Sequence, residues 1–297
     1  MRSIGISPNP TLAPTRECCV MHGISTIAAT EIRIGLRNRW IILSSLILLV
    51  FALILVLIGS APTGEIKTNA VTVVVASLST LSVYLVPLIA LLLSFDAIAG
   101  EIDRGTLQLV LASPVSRGTV LLGKFIGHVT VLSIAVVIGY GIAGLVAFYA
   151  GGGGDWSALV DVARLIASSI VLGATFIAIG YIASASVRQT GTAAALAVAI
   201  WLFAVVLYDL ALLGGLLASQ DGVFARTLFP WLLVLNPADA FRLYNMNAID
   251  AAAMGSNLGG DMGSATPLSG LAVMISPVAW AMLALGLSTM VMHRIRP

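Results

Sequence analysis

Six stretches of this chain stay apolar for about 20 residues, the length a helix needs to cross a bilayer at 1.5 Å rise per residue. They fall at about 40–60, 72–94, 119–149, 160–186, 191–217 and 269–292. Of the 297 residues, 59% are hydrophobic and only 9% are charged. A soluble domain carries roughly 25% charged residues, so no aqueous fold could cover this much apolar surface. The runs are continuous rather than alternating every second residue, which selects helices over a barrel. The fold class expected is therefore an all-α membrane protein with six transmembrane helices.

The formal charge of +2 is small and no basic run interleaves with aromatics, so nucleic acid is not an expected partner. The only cysteines, Cys18 and Cys19, are adjacent in a polar tail. They read as reduced and cytoplasmic, with metal binding or lipid attachment as the alternative. Residues 1–23 read as a disordered extension ahead of a six-helix domain over 24–297. The tail has no apolar run of signal-peptide length, and Met21 is an alternative start.

From about Ile24 to Trp40, isoleucines alternate with Glu31, Arg33, Arg37 and Arg39. This predicts a short amphipathic helix lying in the headgroup region, with Trp40 at the interface. Lys and Arg then set the orientation. With the amino terminus inside, eleven of the fifteen fall on the inner side, and Lys67, Arg164, Arg226 and Arg242 fall outside. Both termini are expected in the cytoplasm. On the outside, FPWLLVLNPADAFRLYNM is apolar, too short to span and broken by Pro230 and Pro237, which predicts a re-entrant or surface hairpin.

Residues 94–128 form a charged island between two spans: SFDAIAGEIDRGTLQLVLASPVSRGTVLLGKFIGH. Asp96 and Glu101 sit where the second span must leave lipid. Gly105 and Thr106 open an apolar turn, which Ser113 and Pro114 break. Ser116 is expected to cap the third span. Lys124 and His128, four apart, share a face of that helix, with Lys124 snorkelling to headgroups and His128 at the interface. Read alone, these charges would also suit an ordinary loop anchor.

The island resembles the signature of type 2 ABC exporter permeases: an acidic residue, three more, then Gly-Thr; Pro-x-Ser-Arg; and Gly-Lys. Glu101, Gly105, Thr106, Pro114, Ser116, Arg117, Gly123 and Lys124 fill those places, with Asp96, Asp103 and Arg104 among them. GLRNRW, LVPLIALLLSFDAIAGE and FPWLLVLNPADAFRLYN resemble one subgroup, the NosY-like permeases associated with maturation of nitrous oxide reductase. The resemblance covers about residues 24–297; the tail ahead of it departs from the pattern. It implies an amphipathic elbow helix, a second copy as partner and a cytoplasmic ATPase gripping residues 96–124. It also implies a periplasmic partner docking near Pro230, Trp231, Asn236, Pro237, Asp239 and Arg242, and a copper- or sulfur-related cargo. Gly123-Lys124 lacks Walker A spacing, so ATP and Mg are expected on the ATPase subunit, with no cofactor and no metal on this chain.

Asp209, inside the fifth run near its outer end, is a pathway candidate, an interface anchor or a helix-pairing residue. Met274, Met282 and Met290 recur every eight residues and drift around a helix rather than lining it, which favours packing over a copper relay. Gly191, Ala195 and Ala199 form a small-residue stripe, suited to a contact within the chain or with a second copy. Two other classes compete. A secondary transporter would carry mid-membrane charges or an internal repeat, and an intramembrane enzyme would need a catalytic pair where Asp209 stands alone.

Overall fold

The computed structural model describes residues 16–37, 39–59, 70–106, 116–150, 156–219, 222, 224–254 and 270–294. All regular structure among them is helical. Helix α1 (Arg16–Arg37) precedes α2 (Arg39–Gly59), and α3 (Ala70–Ser94) runs into a short α4 (Asp96–Asp103). Helices α5 (Arg117–Ala150) and α6 (Ser157–Ser186) follow, then α7 (Thr190–Ala218), whose middle, Leu202–Leu207, is a π segment. A hairpin of α8 (Phe229–Leu235) and α9 (Pro237–Met254) leads to α10 (Ile275–Arg294). Residues 1–15 of the expected tail and the 107–115 segment with Pro114 lie outside the described residues.

Among the described residues five helices are long and apolar enough to cross a membrane: Val74–Asp103, α5, α6, α7 and α10. Helix α2 has 21 residues, and its segment Ser45–Leu57 is a shorter apolar helix by the same measure. Each run read from the sequence is thus helical, with the last divided at Met274 into a single turn of helix, Gly270–Val273, and α10.

Helices α5 and α6 form the centre. α5 packs against α1, α2, α3 and α6, while α6 packs against α3 and α10. The interior is chiefly Leu, Val, Ala and Phe, with Tyr140 and Tyr181 fully buried. Several buried hydroxyls find partners inside it, while those of Ser79 and Ser169 have none. Tyr140 and Ser82 share a 2.6 Å hydrogen bond, and Thr175 donates to the Pro277 carbonyl at 2.7 Å. In the turn before Pro87, the Trp201 indole donates to the Tyr84 carbonyl at 2.9 Å and ties α7 to α3. Met282 and Met290 point away from the bundle. So do Gly191, Ala195 and Ala199; the face α7 packs inward carries Ala193 and Ala197.

Replacing Tyr140 by Phe removes one internal hydrogen bond while Ser82 keeps the Leu78 carbonyl as acceptor. We expect a loss of about 1 kcal/mol, read as a lower unfolding midpoint in detergent; an unchanged midpoint would contradict the role given to this pair.

Candidate functional site

The charged residues between α3 and α5 converge at one end of the bundle. Helix α3 breaks at Phe95, and the cause is a side chain from α6. Ser184 donates to the Phe95 carbonyl at 2.6 Å and accepts from the Ile98 and Ala99 amides at 3.0 and 2.9 Å. The Ala99 amide would otherwise bond the Phe95 carbonyl, so the hydroxyl is wedged into the helical ladder, a recognised origin of kinks. Sequence alone gives no sign of this, since one serine among many in an apolar helix carries no signal.

Beyond the kink, α4 ends in a Schellman cap. The Thr106 amide bonds the Glu101 carbonyl at 2.9 Å and the Gly105 amide the Ile102 carbonyl at 3.1 Å, with Gly105 at φ +68°. That left-handed position strains any residue with a Cβ. The Gly-Thr of the sequence pattern is thereby explained as a helix stop. Asp103 accepts from the Thr190 hydroxyl at 2.9 Å and its amide at 3.3 Å, fastening the tip of α4 to the start of α7. Arg104 reaches back to Asp96 at 3.4 Å on the surface. Asp103, Arg104, Gly105 and Thr106 are all exposed, so the tip presents an open polar edge.

Glu101 points the other way, into the protein. Lys124 Nζ lies 2.8 Å from Glu101 Oε1 and 2.6 Å from Glu31 Oε1, with its side chain only 9% exposed. The expected snorkelling to headgroups is therefore corrected: two carboxylates from α4 and α1 hold the ammonium inside. His128 is likewise buried instead of interfacial, one turn along the same face. Its Nδ1 shares a 2.6 Å hydrogen bond with Tyr181, and its Nε2 sits 3.7 Å from Glu31. Close approach of α1 makes this possible. A Cβ on Gly123 would lie 2.8 Å from Ile27 Cβ, and one on Gly127 2.5 Å from Glu31 Cβ. Glycines four apart let the backbones meet.

At the start of α5, Ser116 Oγ accepts from the Thr119 amide at 3.1 Å, the expected N-cap. Arg117 donates to the Met292 carbonyl at 2.6 Å and ties α5 to the end of α10. The 94–124 residues thus bind together α1, α4, α5, α6, α7 and α10.

A second charged cluster lies on α7 and the hairpin. Asn236 caps α9: its Oδ1 accepts from the Ala238 amide at 3.1 Å, Pro237 takes the first helical position and Asp239 the first turn. Asn-Pro-Ala-Asp is thus a helix start. The Asn236 amide group also donates to the Ala204 carbonyl at 2.8 Å, inside the π segment of α7. Asp209 does not stand alone. Arg242 bridges it at 3.0 and 3.2 Å and also contacts Asp239. Asp239 is buried and Arg242 half-buried, so both serve inside the subunit, whereas Trp231 is exposed and Pro230 buried.

Against known proteins, the family profile described as ABC-2 family transporter protein matches residues 25–294. The chain belongs to the ABC-2 transporter family. It is 40% identical over 269 residues to a probable ABC transporter permease protein NosY of Pseudomonas aeruginosa, covering 90% of this chain and 97% of that protein. A probable ABC transporter permease protein NosY of Stutzerimonas stutzeri is 38% identical over 276 residues, covering 92% of this chain and 99% of that protein. Among these ABC-2 family features, Glu101 and Lys124 prove to be an internal lock, while Arg104, Gly105 and Thr106 form the outward tip.

Two outcomes follow for this ABC-2 protein. Lys124→Met leaves two carboxylates facing each other and should cost about 3–5 kcal/mol, whereas Glu31→Gln keeps the Glu101 partner and should cost less. Unfolding in detergent orders the two, and equal losses would refute the three-way lock. At the hairpin, burial first, and then the neighbouring Asp209, push the Asp239 carboxyl up to about 7 from its usual 3.8, against the pull of Arg242. The folded protein therefore holds a proton that the unfolded chain releases between these values, so stability is greatest below about 4 and falls as pH rises through about 7. The unfolding midpoint should drop from pH 5 to 7.5, and Asp239→Asn should flatten that slope.

Proposed function

We propose that this chain is the six-helix permease subunit of an ABC exporter, worked by a separate ATPase that presses on the tip of α4. The observation that carries the reading is the exposed edge Asp103–Thr106. It ends a short helix hinged at Ser184 and fastened to α1, α5 and α7 by Glu101–Lys124–Glu31 and Asp103–Thr190. A push on such a tip is passed to several spans together. Closing of the ATPase dimer, with ATP and Mg bound there, would rock these helices as rigid bodies and change which side of a cavity between two copies of the subunit is open.

In this reading α2 is the remaining span, α1 is the elbow helix and the α8–α9 hairpin dips into the outer membrane face. The protein lies in the inner membrane with both termini in the cytoplasm. A second copy packs on the outward face of α7, where Gly191, Ala195 and Ala199 permit close approach. A periplasmic protein docks at the hairpin, with Trp231 as its exposed apolar contact. The cargo in this reading is a copper- or sulfur-related species for nitrous oxide reductase maturation, on the resemblance of the sequence motifs to NosY-like permeases. Asp209, committed to Arg242, serves the hairpin rather than the pathway.

The test is Arg104→Glu, at an exposed position outside the buried lock. Purified through a tag on this chain, the variant should bring down at least about fivefold less ATPase subunit, since a rim charge reversal acts on encounter and pairing, while its unfolding midpoint stays unchanged. Full recovery of the ATPase would overturn the proposed contact.

A further inference from the structure

The second half of α7, Tyr208–Ala218, is held by polar ties more than by packing. Leu212 is its one buried side chain, and Val205 the one in the π segment before it. The ring of Phe224 lies against Gly215. The ties run to the hairpin. The Ala204 carbonyl accepts from Asn236 at 2.8 Å, and the Tyr208 hydroxyl donates to the Leu232 carbonyl at 2.7 Å. Asp209 receives the Arg242 fork at 3.0 and 3.2 Å. What lies on either side of these ties is fixed. Just before the π segment, the Trp201 indole is bonded to α3. On the hairpin, Ala238, Ala240 and Phe241 are fully buried, and Asn245 donates to Ser168 of α6 at 3.1 Å. A π segment already departs from the α ladder, which makes Leu202–Leu207 the joint. If the ties part, the arm beyond Leu207 is what moves.

Charge decides whether the ties hold. Arg242 Nη2 touches Oδ1 of Asp209 and Oδ1 of Asp239 at once, so one cation stands between two carboxyl groups. The Asp239 side chain is only 1% exposed, and its other oxygen accepts from Asn236 at 3.0 Å. The neighbouring elements bring no second cation to this point. Tyr84 of α3 faces Arg242 and Tyr208 of α7 faces Asp239, and both bring phenol groups. Helix α6 carries Arg164, which is bound to Asp161 at 2.8 Å. Helix α8 has no ionisable side chain, and His293 and Arg294 stand at the far end of α10. Two carboxylates about one guanidinium leave a negative charge unmatched in a half-buried site, and the relief available is one proton between them.

We propose that the second half of α7 is a proton-latched arm, docked on the hairpin while Asp209 and Asp239 share one proton and released at the Leu202–Leu207 joint when both are ionised. Asp209 is the group that leaves, since its side chain is already 26% exposed while Asp239 is sealed in with α9. The sign follows from Asp239. In the docked form its carboxyl is pushed up to about 7, by burial first and then by Asp209. Departure of the arm removes the Asp209 charge and admits water while Arg242 stays, so the carboxyl falls back toward its usual range. The docked form therefore holds a proton that the open form gives up, and docking weakens as pH rises toward 7. Above 7 both forms are ionised and the effect is complete. The latch needs neither the cargo nor the ATPase contact proposed above.

The test uses the full chain in nanodiscs with its co-purified partners, Cys18 and Cys19 replaced by Ser. Spin labels are placed at Leu213→Cys on the arm and Met246→Cys on α9, both exposed positions, and pulsed electron spin resonance reads the distance between them. The ratio of displaced to docked populations should rise at least about tenfold from pH 5 to pH 7 and level off above it, the response of one proton. Asp239→Asn, and separately Asp209→Asn, leaves one carboxylate for one guanidinium and should keep the docked distance at both pH values. An unchanged distance distribution between pH 5 and 7 would overturn the latch. So would a pH response that survives in either Asn variant, a response of opposite sign, or an arm already displaced in both variants at pH 5.

Discussion

One ammonium group, on Lys124, holds this bundle end together. It lies between carboxylates from two helices that are otherwise separate, the amino-terminal helix α1 and the short α4. In a low-dielectric setting a three-centre arrangement of this kind is demanding, because every member needs the others to stay charged. The glycines at 123 and 127 bring α1 near enough, and the Ser184 wedge turns α4 toward the same point. Kink, close approach and ion cluster are consequently one construction.

The two charged clusters are built on the same logic. In each, a cation bridges two acidic groups from different elements: Lys124 with Glu31 and Glu101, Arg242 with Asp209 and Asp239. A chain with so few charges places several of them where they join helices instead of where they meet water. The π segment in α7 belongs to the same economy of polar contacts, since its loosened ladder gives Asn236 a carbonyl to bond.

Much of the fold was legible because hydrophobic length is a strong signal. Every apolar run became helical, and Ser116 capped α5 as a serine just after the break at Pro114 suggested. The Gly-Thr and Asn-Pro-Ala-Asp segments were visible as patterns but not as a Schellman cap and a helix start until their amide partners were known. What sequence could not supply was direction. Lys124 and Arg104 look equivalent at membrane edges, yet one turns inward and the other outward. Asp209 looked solitary because its partner Arg242 lies 33 residues away. Ser184 gave no signal at all, as its role depends on where α3 happens to run beside α6.

The spacing of the lock along the chain has a consequence for biogenesis. Glu31 is synthesised 93 residues ahead of the lysine that neutralises it. Throughout that interval its carboxylate has no cation to accompany it below the headgroups, and entering lipid unpaired is costly. The contact with Lys124 can close only after α5 has been made, so a helix that comes early in the chain completes its packing late.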